Sequence, residues 1–370
     1  MSPEPAAQTP PETFAVHACS RDDREEQARL FNQCFKKAVT AANLHWRYDE
    51  NPHGGSVSFV TRPAGGEGVS GYACSPRRAL SFGDERTLAP VGETGDVMTH
   101  PQWRKRGLFS DLDRAAMTET ERLGWPCVFG LPNRRSAHIF VELGWEVIGS
   151  VRPWTFVLRT DPAARRELAV DGRARAWFAP WTVRTCRAAR TRSATLSHGL
   201  RTLSLARFPR DVETLARTVE KRFAFMIRRD ADYLNWRFAG SPSKLHRIVG
   251  VYDGAERFAG YVVVQLPRAG EPVGYLVDVL ALEERALAAA IEAGIAALEG
   301  AGASLVRATA IDGSWWNRVL VDVGFRAPKP ENHLTVILHP HRTDHPLVKA
   351  ARDVRGWYFT DGDRDDETMG

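Results

Sequence analysis

Residues 95–110 read Gly95-Asp96-Val97-Met98-Thr99-His100-Pro101-Gln102-Trp103-Arg104-Lys105-Arg106-Gly107-Leu108-Phe109-Ser110, and the rest of the chain is understood from them. The pattern predicts a strand over 95–99, a sharp loop over 100–107 and a helix over 108–123. Three cations, Arg104, Lys105 and Arg106, stand directly before Gly107. They converge with free backbone amides on a helix N-terminus, whose unpaired N–H groups and dipole attract an anion. A glycine at the turn lets the backbone approach a phosphate closely. A site for the diphosphate of a cofactor is the functional reading. Taken alone, the loop is better read as a solvated basic turn before an ordinary helix, so its surroundings must decide.

Upstream, 21–35 carries apolar or small residues at Ala28, Phe31, Cys34 and Phe35, a helical pattern. His45-Trp46-Arg47-Tyr48 then runs into a turn at Asn51-Pro52-His53-Gly54-Gly55. Strands are expected at 57–61 and 69–75, a hairpin around Gly65-Gly66, with a short strand at 86–89 leading into 91–99. Downstream come a short apolar strand at 127–131 and a helix over 135–143 stopped by Gly144. Segments 145–150 and 154–159 read as a closing pair of strands. The order gives a mixed α/β sheet.

The C-terminal half echoes this layout. Asn235-Trp236-Arg237-Phe238 answers His45-Trp46-Arg47-Tyr48, Gly260-Tyr261 answers Gly71-Tyr72, Asp278-Val279 answers Asp96-Val97, and Val323-Gly324-Phe325 answers Leu143-Gly144-Trp145. The matches keep their order while the offset drifts slowly, as loop deletions would produce, so an internal duplication is the leading reading. After Asp278-Val279 the second copy has Leu280-Ala281-Leu282-Glu283-Glu284-Arg285-Ala286-Leu287, with no glycine and with acids in place of cations. One anion loop per chain is the consequence.

A length of 370 residues suits about two domains, and 43% hydrophobic residues suffice for their cores. No run approaches a membrane span, and the Pro-rich start lacks a signal peptide's apolar centre, so residues 1–12 are expected to be a disordered tail. The five cysteines are scattered without C-x-x-C spacing, which argues against a disulfide framework or zinc site and suits a reducing cytoplasm. A net charge of +5 permits anionic ligands without requiring nucleic acid. The expected division is a tail at 1–12, a first unit at 13–159, an Arg-rich linker at 160–210, a second unit at 211–340 and a C-terminal tail at 341–370. The linker's arginines either touch anionic lipid or polymer or, as favoured here, flank a helix packed between the units. His339, His341 and His345 with Asp344 read as a solvated loop rather than a metal site, and the acidic run from Asp361 to Glu367 as a disordered end.

The segment from Met98 to Phe109 resembles the acyl-CoA-binding motif R/Q-x-x-G-x-G/A of the GNAT N-acetyltransferase superfamily. Asn133 to Ala137, followed by Leu143-Gly144-Trp145, is similar to a later segment of that family. The resemblance implies two tandem GNAT-like mixed α/β units, each a largely antiparallel sheet flanked by helices, with a degenerate second copy. It implies acetyl-CoA or another acyl-CoA as co-substrate, held at the pyrophosphate by Arg104, Lys105, Arg106, Gly107, Leu108, Phe109 and Ser110. The edge of Val97, Met98 and Thr99 would pair with the pantetheine arm and polarise the thioester carbonyl, and Asn133 would contact that arm. Two positions depart from the family pattern. Phe109 stands where Gly or Ala is usual, and Phe140 where many members have a tyrosine that protonates the leaving thiolate.

Attack on a thioester by an amine needs a base for the ammonium proton. Glu93 is the candidate, placed by the period of two on the same strand face as Thr99; a surface carboxylate is the even alternative. Asp96 is the runner-up, with a structural role suggested by its counterpart Asp278. His138 is an alternative acid. Trp46 and Trp236 read as architectural, with Trp46 and Tyr48 able to wall an acceptor pocket. The expected activity is acyl transfer from CoA to a primary amine, on a small molecule or amino sugar. The alternatives are a tandem-GNAT aminoacyl transferase using charged tRNA and a non-catalytic acyl-CoA sensor or scaffold.

Overall fold

The computed structural model describes residues 13–35, 38–82, 85–170, 199–327 and 333–364. The first half runs β1 (Phe14–Ala18), α1 (Arg24–Cys34), α2 (Ala41–Asp49), β2 (Val57–Pro63), β3 (Ser70–Phe82), β4 (Arg86–Thr99), α3 (Leu108–Arg122), β5 (Cys127–Gly130), α4 (Arg134–Glu142), β6 (Glu146–Val157) and α5 (Pro162–Val170). The second runs β7 (Arg201–Leu205), α6 (Val212–Val219), β8 (Phe225–Ile227), α7 (Ala231–Leu234), β9 (His246–Tyr252), β10 (Phe258–Gln265), β11 (Val273–Ala281), α8 (Glu284–Gly300), β12 (Leu305–Ile311), α9 (Trp315–Val323), β13 (Leu334–Pro340), α10 (Pro346–Arg352) and β14 (Trp357–Tyr358).

The strands join in one sheet, ordered β1-β2-β3-β4-β5-β13-β6-β12-β11-β10-β9-β7, with β8 and β14 attached beside β3. Read from its two ends, the order is the same motif twice, and at the centre the halves exchange strands. β13 of the second half pairs with β5, β6 of the first half pairs with β12, and β6 and β13 pair with each other. The expected closing pair at 145–150 and 154–159 is therefore one continuous strand. Pro153, between the two expected segments, sits opposite Thr309 in a ladder whose partner lies in the other half.

Alternation along the strands builds two faces. On one face, Tyr72, Cys74, Leu112, Ala116, Val128, Phe140 and Trp145 pack beneath α3 and α4. The second half repeats this with Val262, Leu276, Ala289, Ile291, Val306 and Trp316 beneath α8 and α9. On the other face, Ala28, Phe31, Tyr48, Ala73 and Met98 pack under α1 and α2. A core drawn from both halves, including Val91, Phe129, Phe225, Tyr233, Tyr261 and Trp357, adjoins them.

Several boundaries differ from expectation. The segment at 45–48 lies inside α2, whose start is fixed by a capping box between Thr40 and Asn43. β3 and β4 are 13 and 14 residues long, so the short strand at 86–89 is part of β4. β7 pairs with β9, so the second unit's strands begin at Arg201 rather than near 211. Most of the Arg-rich stretch, 171–198, lies outside the described residues, as do 1–12 and 365–370. Residues 341–364 are not a tail. They form α10, β14 and a turn at Asp361–Asp363, with Trp357, Tyr358, Asp361 and Asp363 buried. His339 belongs to β13 and His341 hydrogen-bonds Thr120 at 3.0 Å, so neither is in a solvated loop. Among the described residues no helix is long and apolar enough to cross a membrane.

Candidate active site

β4 lies antiparallel to β3 along its length but parallel to β5 only through Gly92, Glu93 and Thr94. β5 ends at Gly130, so from Gly95 to Thr99 this edge of β4 has no strand partner among the described residues. A bulge sits at the same level. Gly71 pairs with Met98 and Ala73 with Gly95, so Asp96 and Val97 together stand opposite Tyr72. Asp96 has φ 47°, a left-handed conformation uncommon outside glycine. Arg47 Nη1 lies 2.6 Å from its Oδ2, and the Tyr48 hydroxyl donates to the same oxygen.

The bulge overturns one expectation. Glu93 pairs with Ser75 and Thr99 with Ser70, five residues apart on β3, so Glu93 and Thr99 point to opposite faces. Glu93 is 2% exposed, with Oε2 2.6 Å from Nη2 of the fully buried Arg77. It is not a surface carboxylate. Asp96 is likewise buried with Arg47, each side chain 5% exposed. Val97 packs toward the α3 side and Met98 toward the α1–α2 side, while the Thr99 and Ser70 hydroxyls are 2.8 Å apart.

Beyond β4, a 3-10 turn at Pro101–Trp103 leads into Lys105 at φ 63° and Gly107 at φ 78°, which starts α3. No side chain caps this helix. Among the described residues, the N–H groups of Lys105, Gly107, Leu108 and Phe109 have no acceptor. Arg104, Lys105 and Arg106 are exposed; the Arg106 guanidinium lies 4.7 Å from the Trp103 ring centre, and Arg104 Nε donates to the Thr99 carbonyl at 3.3 Å. Leu108 is buried, and the Ser110 N–H is already bonded to the Gly107 carbonyl at 3.0 Å.

The departing phenylalanines are explained by packing. Phe109 turns into the core, its ring 5.0 Å from Phe140 and 6.2 Å from Tyr72, so its bulk does not cover the helix end. Phe140 is 3% exposed between Phe109 and Trp145, a place where a hydroxyl would have to be satisfied in an apolar core. Asn133 accepts from the Ser136 N–H at 3.2 Å at the start of α4, and His138 is exposed on that helix. Under α3, Asp113 takes hydrogen bonds from Tyr72 at 2.7 Å and Trp145 at 3.3 Å, and burial pushes its carboxyl up despite them.

The second half keeps the geometry and lacks the loop. β11 pairs with β12 only through Val273, Gly274 and Tyr275, and it bulges between Leu276 and Asp278. Only Leu282 and Glu283 then separate it from α8, which begins on glutamates with no side-chain cap. Asp278 accepts from Tyr261 at 2.8 Å, Thr360 at 2.7 Å and Arg229 at 3.2 Å. Arg229 also holds Asp363, and the turn at Gly362 is pressed so closely on Asp278 that an added Cβ would lie 3.0 Å from it. The C-terminal segment thus occupies this side of the second half. Neither that role nor the Arg47–Tyr48–Asp96 cluster is evident from sequence spacing, because the partners are distant in the chain. Among the described residues no three His, Cys, Asp or Glu side chains gather as metal ligands.

Residues 15–148 match the family described as "Acetyltransferase (GNAT) domain". No curated protein matches the chain. Solved structures similar to it include a probable N-acyltransferase from Enterococcus faecalis V583, at 13% identity over 89% of this chain and 73% of that one, TM-score 0.59. A tandem GNAT protein from the clavulanic acid biosynthesis pathway is 13% identical over 89% of this chain and 98% of that one, TM-score 0.56. N-myristoyltransferase of Saccharomyces cerevisiae with bound myristoyl-CoA is 14% identical over 92% and 81%, TM-score 0.59. At these identities the likeness is one of fold, and it spans both halves. Residues 15–148 thus match the GNAT acetyltransferase domain, and the two strand-exchanged halves share the fold of a tandem GNAT protein.

Proposed function

We propose that the chain is an acyl-CoA-dependent N-acyltransferase that moves an acetyl or other acyl group to a primary amine on a small molecule or amino sugar. The observation that carries this is the row of unpartnered N–H groups at Lys105, Gly107, Leu108 and Phe109, set at the mouth of the β4–β5 opening. A diphosphate would satisfy those donors under the charges of Arg104, Lys105 and Arg106, with Ser110 at its rim. The open edge at Val97–Met98–Thr99 offers strand-like pairing to a pantetheine arm, whose far end would pass Asn133. Amides on that edge would donate to the thioester oxygen as charge develops.

Among the acid–base candidates, Glu93 is assigned to the acceptor's side. A carboxylate already holding Arg77 works best as a fixed negative charge that draws in an ammonium, so the proton would pass through water. Asp96 is assigned to holding the bulge, and His138 remains the reserve proton donor. The buried Phe140 and the paired Glu93 favour one second reading, an acyl-CoA sensor without turnover. Titration calorimetry with acetyl-CoA, followed by thiol release across an amine panel, separates the two. Binding with release supports the enzyme, binding without release for any amine supports the sensor, and no binding removes both.

A further inference from the structure

One turn of α2 touches both the other half and the bulge of β4. Trp46 stacks on Trp236 with ring centres 4.9 Å apart and planes at 25°. Each indole Nε1 donates to the other residue's backbone carbonyl, at 3.2 and 3.0 Å. The next two residues, Arg47 and Tyr48, both reach Asp96. Successive helix residues project about 100° apart, so neighbours in sequence serve different surfaces.

Asp96 is the place where such support is needed. A left-handed non-glycine residue within a strand carries strain that its surroundings must offset. Here the surroundings are one carboxylate oxygen shared by a guanidinium and a phenol, nearly shielded from solvent. Neither donor belongs to the strand it steadies.

We propose that the second half, which lacks an anion loop, serves the first as a positioning element. Trp236 fixes α2, and Arg47 and Tyr48 on α2 fix Asp96, which keeps the bulge and the amides beside it turned to the open edge of β4. Trp46, Trp236, Arg47, Tyr48 and Asp96 are positioning residues, since none of them needs to touch a reacting atom. This inference rests on reading the open edge as the thioester site.

The test needs no acceptor. Acetyl-CoA carrying a ¹³C carbonyl is bound to the full chain and to Trp236→Ala, Trp236→Phe, Asp96→Ala, Asp96→Asn and the Trp236→Ala/Asp96→Ala double variant, and the carbonyl stretch is read by isotope-edited infrared spectroscopy. The unaltered chain should bind and shift the stretch below that of free acetyl-CoA. Trp236→Ala and Asp96→Ala should bind within about twofold of it yet return the stretch toward the free value, and the double variant should go no further than Asp96→Ala. Trp236→Phe and Asp96→Asn, which keep a ring and a hydrogen-bond acceptor, should fall between and carry the comparison if the harsher variants do not fold. Variants that bind with an unchanged shift, or an unaltered chain that binds without one, overturn the inference while leaving the cofactor site standing. Failure of the unaltered chain to bind acetyl-CoA overturns the proposed function itself.

Discussion

Trp46 and Trp236 meet face to face, 190 positions apart, and each gives its indole N–H to the other's carbonyl oxygen. A self-reciprocal contact of this kind belongs on a two-fold axis, here an internal one relating two copies of a unit within one chain. The central strands obey the same axis, with β6 and β13 paired to each other and each completing the other half's sheet.

The first prediction concerns that stack. Removing either ring by Trp46→Ala or Trp236→Ala should cost about 3 kcal/mol through lost packing. The two losses should not add, because each variant already destroys the same contact, and a coupling of about 1 kcal/mol is expected. Urea unfolding of the single and double variants measures it. Additive losses would mean that the rings stabilise their own halves independently.

Gly107 permits a sharper test of the anion loop. Its φ of 78° strains any residue with a Cβ, yet nothing lies within 4 Å of where that Cβ would go. Gly107→Ala should therefore fold at a cost of about 1 kcal/mol, and Gly107→Asn should cost less because asparagine tolerates this conformation. Acetyl-CoA affinity should fall about tenfold in Gly107→Ala as the helix-end amides shift, which calorimetry reads directly. Unchanged affinity would move the diphosphate away from this loop.

The exposed cations are tested by salt rather than by folding. Arg104→Ala and Lys105→Ala leave the core untouched and should each weaken acetyl-CoA binding about threefold at low ionic strength. Both should also flatten the dependence of affinity on salt. Arg106→Ala should weaken binding and additionally release the Trp103 ring on which its guanidinium rests. Equal salt slopes in all variants would place the ligand's charge elsewhere.

How much of this was legible in the sequence follows from the range of each interaction. The loop at 100–107, the helix after it and the duplication could be read because glycine, clustered cations and apolar spacing act locally. The loss of the loop after Asp278 was equally plain. The single long β6 was not, since its partners Leu334 and Thr309 come from the other half. The burial of Asp361 and Asp363 was hidden for the same reason, because their partners Thr309 and Arg229 are 52 and 134 residues away. The bulge at Asp96 was invisible in the period of two, and it turned Glu93 away from Thr99's face. For the candidate site, the donor row was legible and its supports were not.

Glu93 and Arg77 form a buried pair, and the two ways of altering it should differ. Glu93→Ala strands a buried guanidinium and should cost about 3–5 kcal/mol, while Glu93→Leu with Arg77→Met should come close to neutral in stability. If the Glu93 charge draws in the ammonium, the stable double variant should still bind acetyl-CoA and lose thiol release to amines. Denaturation paired with a thiol assay distinguishes these outcomes. Wild-type release in the double variant would leave the pair with a folding role alone.

Acid should destabilise the fold through buried histidines. Burial pushes His246 down to about 4, and among the described residues neither of its ring nitrogens has a hydrogen-bond partner. A group whose folded value is depressed binds fewer protons folded than unfolded between about 4 and 6.5. Stability is therefore lost as the pH falls through that window, at about 1.4 kcal/mol per pH unit for each such histidine. Below about 4 both states are protonated and the loss stops growing. His53 and His341, also depressed to about 4, add to the slope. The buried carboxyls of Asp113, Asp361 and Asp363 are raised and act with the opposite sign, losing stability as the pH rises above the ordinary aspartate range. His246→Phe isolates one contribution: it keeps the edge contact with Phe238 and removes two unpaired nitrogens. It should match or exceed the unaltered chain's stability at pH 7, and its advantage should widen toward pH 4. An advantage that stayed constant with pH would show that His246 does not titrate between the folded and unfolded states.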